Sequence, residues 1–138
     1  MPQAFADIPR DLPALRQAQL ISERAVAAGF EWESVEQVWD KVREEVGEFK
    51  DAVPGSANQV EEFGDVLFTL VNVARKEGID AEDALDRACD KFRRRWGMMD
   101  RLASQAGEGP LHDMTTAQLV ELWQRAKTEL ETMSDDFE

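Results

Sequence analysis

Cysteine and histidine are almost absent from this 138-residue chain, which has one of each, Cys89 and His112. A lone cysteine has no partner for an intrachain disulfide, so the composition fits a reducing, cytoplasmic setting. A single histidine cannot supply the two Glu-x-x-His motifs that a di-iron helical bundle needs, which removes that chemistry from consideration. No run approaches 18 apolar residues, and the opening MPQAFADIPR lacks the apolar stretch of a signal peptide. A soluble, untargeted protein is expected. Basic residues are scarce as well. Sixteen Lys and Arg stand against 29 Asp and Glu, a formal charge of −13, which repels nucleic-acid backbones and anionic membranes; neither is expected as a partner.

Also missing are the alternating Val, Ile and Thr runs that make strands. Apolar residues recur instead at helical spacing, which predicts an all-α domain, a four- to five-helix bundle spanning 1–138 as one unit, with 1–10 and 134–138 frayed. The first helix is expected from about Leu12, capped by Asp11 with Pro13 in its first turn, to Gly29. A second follows Ser34, with Gln37 completing a capping box, and ends at Pro54-Gly55. A third opens at Asn58, with Glu61 three residues on, and closes at Gly78. The fourth starts behind Asp80 and runs to about Gly107, and a last helix is capped by Thr115 or Thr116.

What the chain does have is a repeated acidic signature, EEVGEF at 44–49 and EEFGDV at 61–66. Composition alone predicts the pattern acid-acid-any-Gly-acid roughly 0.07 times in a chain of this make-up, so two copies call for a physical reason. At about 100° per residue, Glu45 borders the apolar stripe of the second helix, with Glu48 stacked beside it. Glu62 borders the stripe of the third, with Asp65 beyond it. Packing the two stripes together should bring these four acids to one place. Two carboxylates about 4 Å apart repel by about 4 kcal/mol at an effective dielectric of 20, so the quartet calls for a cation. Oxygen-only donors favour Mg²⁺, or Mn²⁺ as substitute, over Zn²⁺. Glu44 and Glu61 lie further round the same polar arcs, as groups that hold a water or as solvated acids. Gly47 and Gly64 each cost a helix up to about 1 kcal/mol relative to Ala, and a close approach of the two helices would account for them.

The spacing Glu45-x-x-Glu48 followed by Glu62-x-x-Asp65 resembles the signature of the MazG-like nucleoside triphosphate pyrophosphohydrolases. The likeness extends over LPALRQAQLISERAVAAGFEW, WDKVREEVGEF, VEEFGDVLFTLVNVARKEGIDAEDAL, KFRRRW and LVELWQRAK, and is closest to the catalytic C-terminal domain of the longer bacterial MazG proteins. The resemblance implies an all-α Mg²⁺ enzyme that cleaves an NTP or dNTP to the monophosphate and pyrophosphate, as house-cleaning of nucleotide pools. It implies that Glu45, Glu48, Glu62 and Asp65 hold metal, that Lys41, Lys91 and Arg95 meet the phosphates, and that Trp123 and Lys127 contact the nucleotide. The attacking water would be metal-bound or oriented by Glu44 or Glu61. It further implies a homodimer or homotetramer.

Each of these residues has a plainer explanation beside the functional one. Lys41 lies one turn from Glu45 and suits an ordinary helix ion pair. Lys91 and Arg95 suit an exposed basic stripe, and Trp123, at helical spacing with Leu119 and Leu122, suits a core position. The chain departs from the family at Cys89, where Asn is common, and at Asn58, where some relatives have lysine. Base-selective hydrolysis of dUTP or dCTP, or action on phosphoribosyl-ATP, are alternatives within the enzyme reading. A non-catalytic acidic helical module that binds a protein partner is the alternative outside it.

Overall fold

The computed structural model describes residues 3–135, and among them every regular element is a helix. Five α-helices follow one another: α1 Ala14–Ala27, α2 Val35–Asp51, α3 Ala57–Lys76, α4 Ala81–Gln105 and α5 Thr116–Asp135. Short 3-10 turns stand at Gln3–Phe5 and Leu111–Asp113. No helix among the described residues is long and apolar enough to cross a membrane.

The helix starts follow side-chain chemistry, in two cases at different residues from those expected. Ser34 Oγ accepts from the Gln37 backbone N–H at 3.3 Å, while Gln37 Oε1 accepts from the N–H of Glu33 at 2.9 Å, which closes α2 as expected. At α3 the cap is Ser56 rather than Asn58: its hydroxyl accepts from Gln59 N–H at 3.1 Å, and Gln59 Oε1 accepts from Gly55 N–H at 2.8 Å. The chain leaves Pro54 through Gly55 at φ +80°, so the first residue able to cap is the serine. At α1 the cap position falls on Pro13, in extended backbone at ψ 140°, rather than on Asp11. The Gln17 amide donates to the carbonyls of Arg10 and Leu12, both at 2.7 Å, holding that entry in a turn outside the helix. Thr115 and Gln118 cap each other reciprocally at α5.

The chain divides into two compact units, residues 1–85 and 86–138, with the division inside α4. In the first, α3 packs against both α1 and α2, most extensively against α2. The α2–α3 seam centres on Val38, Val42 and Val73, bordered by Trp32, Val35 and Val46. Residues 3–10, in the segment expected to fray, carry the first 3-10 turn and a buried Ile8; residues 1, 2 and 136–138 lie outside the described residues. In the second unit, Met98, Met99 and Ala103 of α4 bury against Leu111 and against Leu122 and Ala126 of α5.

The expected tight approach at the helix glycines is not observed. A Cβ added at Gly47 or Gly64 would meet nothing within 4 Å, so neither glycine is required by packing.

Candidate metal centre

The seam that buries Val38 and Val42 sets the position of Glu45, two turns along the same face from Val38. The Glu45 side chain is only 9% exposed, unusual for a carboxylate, and its Oε2 is buried without a hydrogen-bond partner. Across the seam, Glu62 Oε2 of α3 is likewise buried and unpartnered. Glu48, one turn beyond Glu45, is exposed and closes the group: one oxygen each of Glu45, Glu48 and Glu62 lie within 4.8 Å of one another. Hydrogen bonding between its carboxyl and that of Glu45 holds Glu48 above the ordinary carboxylate range, with the negative charge of Glu45 next in effect, then desolvation and the charge of Glu62. Two orphaned buried oxygens and a crowded third carboxylate make a donor set of hard oxygens, which suits a divalent cation of the Mg²⁺ or Mn²⁺ type.

Asp65 is exposed, one turn further along α3, and lies outside the 4.8 Å group. Glu44 and Glu61 are also exposed. Lys41 Nζ sits 3.1 Å from Glu45 Oε1 and 3.2 Å from Glu44 Oε1. These two carboxylates, Glu45 foremost, raise its pKa above the ordinary lysine value. The helix ion pair is therefore the arrangement Lys41 adopts in this structure.

The same unit holds a polar network that no sequence pattern announced. Arg75 of α3, with its side chain 10% exposed, grips Glu31 through both guanidinium nitrogens at 2.8 and 2.9 Å and donates through Nε to Ser22 Oγ at 2.6 Å. Ser22 in turn donates to Asn72 Oδ1, and Lys76 donates to the Trp32 carbonyl at 2.5 Å. The Arg75 hydrogen bonds hold Glu31 below the ordinary carboxylate range. Together these bonds fix the segment between α1 and α2 against α3.

In the second unit, Trp123 is half-buried against the α4–α5 core, and the Arg95 guanidinium lies over its ring at 5.0 Å from the centroid. Phe92 packs on the same ring at 5.2 Å and stacks with Trp96 at 6.2 Å. Trp123 thus serves the core and also carries a cation on its face. Phe92 was not singled out from sequence, although its i, i+4 spacing with Trp96 in KFRRRW is a readable signal. Lys91 and Lys127 are exposed.

Residues 33–97 match the model of the MazG nucleotide pyrophosphohydrolase domain, a segment that includes Glu44, Glu45, Glu48, Glu61, Glu62 and Asp65. The nucleoside triphosphate pyrophosphohydrolase of Escherichia coli K12 is 43% identical over 129 residues, 90% of this chain and 48% of that protein. Residues 33–97 are MazG-like. The nucleoside triphosphate pyrophosphohydrolase/pyrophosphatase MazG of Thermotoga maritima is 39% identical over 116 residues, 84% of this chain and 45% of that protein. The chain spans about half the length of the curated relatives it matches. The all-helical architecture agrees with the MazG-like expectation, and Lys41, Lys91 and Arg95 fall inside the matched segment while Trp123 and Lys127 fall beyond it.

Proposed function

We propose that this MazG-like chain is a divalent-cation-dependent nucleoside triphosphate pyrophosphohydrolase, cleaving between the α and β phosphates to release a nucleoside monophosphate and pyrophosphate. The observation that carries the reading is that Glu45 and Glu62, each with a buried, unpartnered oxygen, group with a third carboxylate, Glu48, through oxygens within 4.8 Å of one another. Lys41 supplies a single positive charge, on the Glu45 side, and a divalent cation would take up the charge that remains on three crowded carboxylates. The names of the relatives point to the same chemistry.

In this reading Glu45, Glu48 and Glu62 hold Mg²⁺, with Mn²⁺ as substitute, and Asp65 serves as the fourth carboxylate one turn along α3. The cation supplies positive charge against triphosphate oxygens, where negative charge builds as the bond to the leaving pyrophosphate breaks. Glu44 and Glu61, exposed beside the cluster residues in sequence, are the candidates to orient a water and take its proton. Lys41, Lys91 and Arg95 contribute charge to the phosphates, and Trp123 and Lys127 contact the nucleoside. Broad action on NTPs and dNTPs, a house-cleaning role and a cytoplasmic setting complete the proposal. The exposed apolar residues of α3, among them Val60, Phe63 and Leu67, support a homodimer or homotetramer that would cover them.

The test is pyrophosphate release from each of the eight common NTPs and dNTPs in Mg²⁺ and then in EDTA, with the monophosphate identified as second product. Mg²⁺-dependent release of both products establishes the reaction. A folded protein that binds nucleotide and releases nothing would replace the proposal with that of a binding module.

A further inference from the structure

The carboxylate cluster already holds one positive charge. Lys41 reaches Glu45 Oε1 at 3.1 Å with its side chain only 34% exposed, and it engages the oxygen of Glu45 that is not orphaned. The ammonium has a second acceptor in hand, Glu44 Oε1 at 3.2 Å, on a carboxylate that is 57% exposed. One end of this arrangement is buried and the other faces solvent. An ammonium so placed can leave Glu45 without losing an anionic partner.

We propose that Lys41 is a tethered counter-ion that occupies the charge position on Glu45 and competes with the divalent cation for it. This rests on the cation-site reading above and adds a regulatory role for Lys41 within that site. A cation bound to either oxygen of Glu45 lies within about 7 Å of the present ammonium position, given a Mg–oxygen distance of about 2.1 Å. Like charges of +2 and +1 at that separation repel by an amount equal to a five- to tenfold loss of affinity even at about the dielectric of water, and by more in a drier site. The protein therefore binds a free cation weakly while Lys41 rests on Glu45. Movement of the ammonium to Glu44, or to an anionic substrate, restores the affinity. The alternative is that Lys41 merely orients Glu45 for the cation, and it predicts the opposite sign.

The experiment is Mn²⁺ binding to the full chain without nucleotide, read by electron paramagnetic resonance of free Mn²⁺ and by calorimetry. It compares wild type with Lys41→Met, Lys41→Arg and Arg43→Met. Lys41→Met keeps the apolar stem and should tighten Mn²⁺ binding about tenfold. Lys41→Arg keeps the charge and should bind as wild type does. Arg43, which pairs with exposed Asp40 at 2.5 Å, controls for net charge alone, and its loss should change affinity less than twofold. Unchanged or weaker Mn²⁺ binding in Lys41→Met overturns the counter-ion role and leaves the cation site standing. Absence of Mn²⁺ binding in every variant, with helicity by circular dichroism intact, overturns both.

Discussion

Replacing Glu62 by Gln tests whether the cluster is strained for the sake of a cation. The substitution keeps the size and shape of the side chain and removes one negative charge from a group whose oxygens lie within 4.8 Å. At that distance the Glu45–Glu62 repulsion is about 1 kcal/mol at the dielectric of water and about 3 kcal/mol at an effective dielectric of 20. Lys41 offsets part of it from the Glu45 side only, since its bonds run to Glu45 and Glu44. In EDTA, Glu62→Gln should therefore raise stability by about 1–3 kcal/mol, a rise in Tm of roughly 3–9 °C for a chain of this size. In Mg²⁺ the ranking should close or reverse. Wild type gains about 1.4 kcal/mol at a cation concentration ten times its Kd, while the variant forfeits most of that gain along with turnover. The assay is differential scanning fluorimetry in EDTA and across a Mg²⁺ series, paired with pyrophosphate release. A lower Tm for Glu62→Gln in EDTA would show that the carboxylates are not in conflict. A full Mg²⁺ response in the variant would remove Glu62 from the cation site.

Arg75→Met should cost about 2–3 kcal/mol by urea denaturation, because it removes the two-nitrogen grip on part-buried Glu31 and one of the two hydrogen bonds of Ser22. Glu31 has its folded pKa depressed below the ordinary 4.5 by Arg75, so its contribution is complete above that value and is lost as pH falls through the folded one. Glu31→Gln should accordingly flatten the acid limb of the stability curve below about pH 4.5, which urea midpoints at pH 7 and pH 3.5 will register. Ser56→Ala should destabilise by about 1 kcal/mol while Asn58→Ala changes little, since only the serine caps α3; equal costs would return the cap to Asn58. Arg95→Met should leave the fold nearly unchanged, losing about 0.5–1 kcal/mol of cation–π attraction to Trp123, and should raise KM for the triphosphate. An unaltered KM would assign Arg95 to the α4–α5 packing alone.

Helix order and the seam between α2 and α3 were legible because apolar spacing and capping residues are local signals. Glu45 and Glu62 lie at the stripe borders, and for the same reason Glu45 is buried and Glu62 half-buried. The misplaced starts of α1 and α3 were decided by neighbours competing for one cap. At α3 a serine stands directly behind the Pro54–Gly55 turn, and at α1 the Gln17 side chain takes the carbonyls of Arg10 and Leu12. Asp65 shows the limit of wheel geometry: its position three residues from Glu62 gives the direction it leaves the helix, and its carboxylate remains in solvent. The Ser22–Asn72–Arg75–Glu31 network joins residues 44 to 53 positions apart, and no periodicity within one helix can announce such a link.

Three helices here, α2, α3 and α5, begin with a hydroxyl paired to a glutamine, Gln37, Gln59 or Gln118, whose side-chain oxygen takes a backbone N–H in return. Glutamine ages by losing ammonia and becoming glutamate. At these three sites the product keeps the accepting oxygen and places a negative charge in the first turn, where the helix dipole welcomes it. Chemical ageing at Gln37, Gln59 and Gln118 therefore leaves the helix starts closed, and an old molecule differs from a new one there in charge and not in shape.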